Sequence, residues 1–346
     1  MAELPVDRYS PESLVTVMVM LITFLLGVPG NLLVIWLTSV KMKRTVNTVW
    51  FCNLALADLT CCLSLPFSIA LEFLHQRWPY GSFLCKVLPS VVILNMFASV
   101  FTLVAISMDR CLLVVKPVWA QNHRSVRSAR FVCLGICLLS FLMCLPAMLY
   151  RETSTYQNTT TCQYTYTRGP YVPDYDYNYD TMPGSSTATR DLATEPTNDS
   201  SHHAVITIAR AVFGFLLPAL IISACYIRLA WKMQNARFNR MSRKTRKVVF
   251  SIVLAFYVSW APYHLVGLTM LHVDSPNMHH LDSLSQALAY SNSCINPILY
   301  VFMGKDFKSK LRRSLLGLIE SALSEEATKS TSRSRSRVSA PESVTL

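Results

Sequence analysis

Asp58 is the residue whose surroundings suit it least. It closes the run Asn53-Leu54-Ala55-Leu56-Ala57-Asp58, near the middle of a long apolar stretch where an ionised carboxylate is costly. Asn31, Asn95, Ser99, Asn292, Ser293 and Asn296 fall at comparable depth in other apolar stretches. Together they could complete an oxygen-rich cage for a small cation such as sodium; the other reading is a protonated, hydrogen-bonded structural acid. Asp109-Arg110-Cys111 ends another apolar stretch. There the acid could hold its neighbour as a latch until a rearrangement frees it, or the arginine could simply snorkel to the interface. At the opposite end of the apolar stretches, Arg151 and Arg210 call for an anionic group and Asp282 for a cationic one. A peptide ending in a free arginine offers both: a carboxylate for Arg210 and Arg151, and a guanidinium for Asp282. The alternative is that Arg151 snorkels and Asp282 caps a helix N-terminus. Finally, Asn296-Pro297-Ile298-Leu299-Tyr300 puts a helix breaker and two polar groups inside an apolar segment, tolerable only where neighbouring helices or water satisfy the freed backbone.

The elements that must carry these residues follow from composition. Of the 346 residues 52% are apolar and only 15% charged, with a mean hydropathy of +0.33, too greasy for a soluble surface. Runs long enough to span a bilayer cover residues 14–40, 48–74, 83–115, 131–150, 205–231, 247–271 and 281–303. The expected fold is therefore an all-α membrane protein, a bundle of seven transmembrane helices. The first dozen residues lack the pattern of a cleavable signal, so the first helix is expected to direct insertion. Lys41, Lys43, Arg44, Lys116, Arg124, Arg127 and Arg130, and the basic runs 237–247 and 305–313, all fall on one side. That side is cytoplasmic, which leaves the N-terminus, residues 1–12, outside. The net charge of +12 is spread over short loops rather than gathered on one soluble face, so topology accounts for it and nucleic acid does not. No His-Glu-x-x-His, Gly-x-Ser-x-Gly or paired intramembrane aspartates occur, so nothing points to an enzyme.

Outside the helical domain of residues 13–303, three segments carry their own signals. The second outer loop, residues 152–204, is rich in Thr, Ser, Tyr, Asp and Pro and reads as mostly disordered beyond Cys162. It holds glycosylation triplets at Asn158 and Asn198. It also interleaves Tyr171, Tyr175, Tyr177 and Tyr179 with Asp174, Asp176 and Asp180, the kind of run that is sulfated in secretion. Such a loop would steer a cationic protein toward the membrane. Cys85 and Cys162 are the cysteines at outer ends and the expected disulfide. On the inner side, residues 304–320 alternate apolar and basic positions as a short amphipathic eighth helix suited to lie on membrane lipid. The tail, residues 321–346, offers Ser330, Thr331, Ser332, Ser334, Ser336 and Ser339 as phosphorylation sites.

Taken together, the chain resembles the rhodopsin-like (class A) G-protein-coupled receptors from end to end. The resemblance rests on Gly30-Asn31, the run from Leu54 to Asp58, Cys85, Asp109-Arg110, Pro218, Tyr226, Phe256, Trp260-Ala261-Pro262 and the run from Asn296 through Pro297 to Tyr300. It departs at Cys111, where a tyrosine is usual, and in the fourth span, where Cys137 stands near the place of a customary tryptophan. Within the family it is similar to the anaphylatoxin receptors, through Lys43-Arg44-Thr45-Val46-Asn47-Thr48, Trp78-Pro79-Tyr80-Gly81 and Gly304-Lys305-Asp306-Phe307. The resemblance implies a plasma-membrane receptor, a basic anaphylatoxin ligand, chemotaxis and inflammation. The implied partners inside the cell are a heterotrimeric G protein of inhibitory type, receptor kinases and arrestin. It implies that Trp260 is a rotamer switch above which the ligand sits, that Tyr226 and Tyr300 swing inward on activation, and that Arg110 meets the G protein. Pro262 supplies a kink for Trp260 to act on. Tyr263 and His264, just beyond, join the ligand residues, and Tyr164 matches a sulfotyrosine position. Val92 stands where aminergic members hold an acid, which argues against a monoamine. The rival readings are a receptor for the component 5a anaphylatoxin, formyl or chemerin-like peptides and, from a different class, an ion transporter or channel.

Overall fold

The computed structural model describes residues 10–74, 77–156, 159–164, 197–234, 243–273, 275–303 and 309. Among these the chain forms α1 (Pro11–Trp36), α2 (Val46–Phe73), α3 (Gly81–Val115), α4 (Pro117–His123), α5 (Val126–Leu149), strands β1 (Arg151–Tyr156) and β2 (Thr159–Tyr164), α6 (Thr197–Ala211), α7 (Leu217–Gln234), α8 (Arg243–Thr269) and α9 (Pro276–Met303). A π-helical turn, Val212–Leu216, joins α6 to α7 into one rod, so the rods number seven beside the short α4. Six of them have the length and hydropathy of a bilayer-crossing helix. The last, α9, is as long as α2 but is diluted by Ser285, Asn292, Ser293 and Asn296, all buried.

Local chemistry starts these helices where they start. Ser10 accepts from the Ser13 amide at 3.2 Å ahead of Pro11, and Thr45 and Thr48 form a reciprocal capping box on α2. The ladder is disturbed at Pro218, which has no amide hydrogen, and the π turn falls immediately before it. Gly214 lies in that turn, and a Cβ there would come within 2.6 Å of Met96 Cε on α3. The small residue is what lets the fifth rod approach α3 so closely.

Packing is inverted relative to a soluble protein. Phe83, Leu220 and Trp231 stand fully out on the surface, while Asn31, Asp58, Asn95, Asn292 and Asn296 are buried among Leu54, Leu65, Met96, Phe256 and Trp260. A hydrocarbon surround explains both halves of that pattern.

The structure departs from the expected organisation most at two places. The fifth rod begins at Thr197, well before the expected 205, because residues too polar for hydrocarbon still extend the helix outward into water. Asn198 therefore sits in a helix, where a loop was expected. The second outer loop opens with an ordered hairpin instead of a bare loop, β1 pairing antiparallel with β2 from Arg151↔Tyr164 to Tyr156↔Thr159. Asn158, Tyr171, Tyr175, Tyr177, Tyr179, residues 1–9, the eighth helix apart from Ser309, and the tail with Ser330, Thr331, Ser332, Ser334, Ser336 and Ser339 lie outside the described residues.

Candidate functional site

The outer end of the bundle encloses a cavity of about 460 Å³ bounded by α2, α3, α8, α9 and the hairpin. The hairpin is held over it by the Cys85–Cys162 disulfide to α3, with Cα atoms 5.6 Å apart, and by the Trp78 amide donating to the Thr160 carbonyl at 2.7 Å. Direct pairing of Arg151 with Tyr164 puts both side chains on one face, and the guanidinium lies 4.2 Å from the ring centroid. Arg210 does the same over Tyr263 at 5.2 Å. Burial acts to raise the Tyr164 hydroxyl, but Arg151 and Arg210 on either side outweigh it and hold its pKa below that of an ordinary tyrosine. In the same lining Asp282 accepts from Gln286 Nε2 at 2.7 Å.

Arg151, Tyr164, Tyr263 and Asp282 thus line one cavity. Arg210 and His264 are not on its wall. Arg210 lies over the Tyr263 ring and meets the Tyr164 hydroxyl, and His264 packs among Phe215, Trp260 and Tyr263. The two expected carboxylate-binding cations therefore converge on the Tyr164 hydroxyl. The Tyr164 hydroxyl is buried between those cations, so it is no exposed acceptor for a modifying enzyme in this conformation. Sequence reasoning passed over Glu72, His279 and Tyr290, which also line the cavity. An acid in the last turn of a mostly apolar span was the available signal for Glu72. Below the cavity Tyr263 meets Trp260 edge-on at 5.6 Å, and Trp260, 1% exposed, continues to Phe256.

At mid-depth the polar residues converge as expected. Asn296 Nδ2 donates to Asp58 Oδ2 at 2.8 Å, and Asn31 Nδ2 donates to the Ser293 carbonyl at 2.8 Å. With its amide nitrogen turned toward Asp58, Asn95 donates to Oδ1 and to the Ala57 carbonyl, both at 3.2 Å, and accepts from the Ser293 hydroxyl at 3.1 Å. Ser99 is 3.4 Å from the same amide. The buried Oδ1 atoms of Asn31, Asn292 and Asn296 have no hydrogen-bond partner among the described residues. The unfilled Asn296 oxygen, on the amide that binds Asp58, suits a hard monovalent cation. Pro297 lies alongside, and a Cβ on Gly30 would come within 3.0 Å of its ring.

At the inner end the latch is built differently from the expectation. Asp109 is bound by Arg124, with Nε to Oδ1 at 2.7 Å and Nη2 to Oδ2 at 3.2 Å, and its contact with Arg110 is 3.8 Å long. Asn47 Oδ1 accepts from both arginines, from Arg110 at 2.5 Å and from Arg124 at 2.9 Å. Arg124 reaches Asp109 because α4 folds the second inner loop back beneath α3, a contact invisible along the chain. Tyr226 packs on Phe250 at 6.2 Å. The backbone of Tyr300 continues α9, and its side chain lies outside the described residues.

The model of the seven-transmembrane receptor (rhodopsin family) matches residues 30–182 and 186–300. The chain is 36% identical to the C3a anaphylatoxin chemotactic receptor of Rattus norvegicus, over 94% of this chain and 93% of the relative. That alignment spans 438 positions, more than this chain possesses, so the rat protein carries insertions absent here. The trout receptor of the same name (Oncorhynchus mykiss) is 44% identical over 89% of this chain and 78% of its own length. The C5a anaphylatoxin chemotactic receptor 1 of Oryctolagus cuniculus is 39% identical over 96% and 90%.

Proposed function

The chain belongs to the rhodopsin family of seven-transmembrane receptors, and from that premise we propose that its ligand is the complement C3a anaphylatoxin, whose C-terminal arginine enters the outer cavity. Membership makes it a multi-pass plasma-membrane receptor that binds a peptide and couples to a G protein, with no enzymatic role. The observation that carries the ligand assignment is the polarity of the cavity. Arg151 lines the cavity with Asp282, and Arg210, over the Tyr263 ring, lies within electrostatic reach of both Tyr164 and Asp282. A terminal arginine presents a carboxylate and a guanidinium within one residue and matches both ends with charge-assisted hydrogen bonds. For its carboxylate to reach Arg210, the Tyr263 ring must move and the Tyr164 hydroxyl must give way. Tyr263 touches Trp260, so that movement passes directly to the switch residue. A rotation of Trp260 would then loosen the polar core around Asp58, for which Asp58, Ser99 and the free oxygens of Asn292 and Asn296 would hold sodium in the resting state. The inner half of the bundle would open around Arg110 for an inhibitory-type G protein, and receptor kinases and arrestin would act on the Ser/Thr-rich tail.

The rabbit relative's comparable identity gives a C5a ligand specific support as the second reading. One titration separates the two. Cells displaying the chain should suppress cyclic AMP and release calcium with intact C3a, and respond neither to C3a lacking its terminal arginine nor to C5a. A response to C5a alone transfers the assignment; equal responses to C3a with and without the arginine sink the pocket geometry.

A further inference from the structure

A second cavity, of about 240 Å³, opens at the inner end between α2, α3, α4 and α5. Its walls are apolar, supplied by Trp50, Ala105, Leu112 and Ala129, and its mouth is flanked by Met108, Trp119 and Val132, each about half exposed. Three half-exposed apolar side chains at the mouth suit contact with hydrocarbon better than contact with water. It is smaller than a usual drug-sized site of roughly 300–1,000 Å³ and suits part of a single hydrocarbon chain.

Its polar end is the Asp109–Arg124 pair. Asp109 is the one carboxylate among the described lining residues, and it faces two guanidiniums, Arg124 in the lining and Arg110 at 3.8 Å. One negative charge against that group leaves the edge cationic, matched to an anionic headgroup and hostile to an ammonium. Arg124 keeps about a quarter of its side chain exposed, so a second carboxylate has access to it.

We propose that this cavity binds a long-chain fatty acid from the inner leaflet, its tail in the apolar slot and its carboxylate on Arg124 in competition with Asp109. Charge-assisted pairing supplies the specificity, and close van der Waals packing of the tail in the slot supplies the rest, since a tail taken from the leaflet gains nothing by leaving water. Occupancy would withdraw Arg124 from Asp109 and Asn47, the residues that hold Arg110 at rest.

The test uses the full chain in phosphatidylcholine nanodiscs with a photoreactive diazirine analogue of oleic acid. Saturable labelling should map to α3 and α5 around this cavity, and excess oleate should reduce it at least tenfold while oleylamine should not. Val132→Trp, which fills the slot from an exposed position, and Arg124→Gln should each lower labelling at least fivefold. The proposal is overturned if labelling spreads evenly over the lipid-facing surface, if oleylamine or phosphatidylserine competes as well as oleate, or if both variants label normally. Binding is read directly, so the outcome does not depend on which anaphylatoxin activates the chain.

Discussion

Arg210 stands behind Tyr263 rather than on the cavity wall, and that placement separates its role from that of Arg151. A cation reached only after the Tyr263 ring moves contributes to the activated complex more than to first contact. Arg210→Ala should therefore lower C3a potency about 100-fold, near 2.7 kcal/mol, while Arg151→Ala loses about tenfold. Calcium release titrated against each variant at matched surface density measures the difference, and equal losses would contradict the screened geometry. Asp58→Asn bears on the polar core. It should abolish any dependence of agonist binding on sodium, checked by comparing binding in sodium chloride and in N-methylglucamine chloride; a dependence that survives would place the cation elsewhere. Asp58 itself was legible from sequence because a carboxylate stands out in an apolar run. Its bond to Asn296, 238 positions away, was not, since four amide residues were equivalent candidates along the chain.

Two elements decide how the ends of the bundle work. The hairpin β1–β2 places Arg151 and Tyr164 only because Cys85–Cys162 and the Trp78–Thr160 bond hold it against α3. Cys162→Ser should reduce C3a binding by at least tenfold while a fraction of receptor still reaches the surface, a loss visible in ligand binding on antibody-counted cells. At the inner end, three elements meet through Asn47 on α2, Asp109 on α3 and Arg124 just beyond α4. The first turn of α8, which carries basic residues and no acid, offers Arg110 no carboxylate in its place. Arg124→Ala should thus raise ligand-independent cyclic AMP suppression roughly threefold, whereas Arg127→Ala should not. The seven rods were readable from hydropathy because each needs about 20 apolar residues. The hairpin and α4 were not, since six or seven residues carry too little periodicity to announce themselves.

Across the whole molecule, charge is divided by the membrane. Basic residues collect on the inner loops, and the acidic, tyrosine-rich run lies in the second outer loop, despite a net charge of +12. A cationic ligand approaching that loop should associate faster at low ionic strength. Raising salt from about 50 to 300 mM shortens the Debye length from roughly 14 to 6 Å and should slow C3a association severalfold with little change in dissociation. Surface plasmon resonance on captured receptor would register a salt-independent on-rate as evidence against steering. What the sequence determined alone are quantities that sum locally: seven apolar spans, their orientation from basic loops, the half-cystines at the outer ends, and the buried polar residues that mark a receptor of this family. The tertiary structure decided which atoms meet. Asp109 pairs with Arg124 and not chiefly with its neighbour Arg110, Arg210 lies behind Tyr263, and Tyr164 sits between two guanidiniums. The physical reason is that ion pairs and ring contacts are won within a few ångströms. Those distances are set by how rods far apart in the chain pack together, not by the order of residues along any one of them.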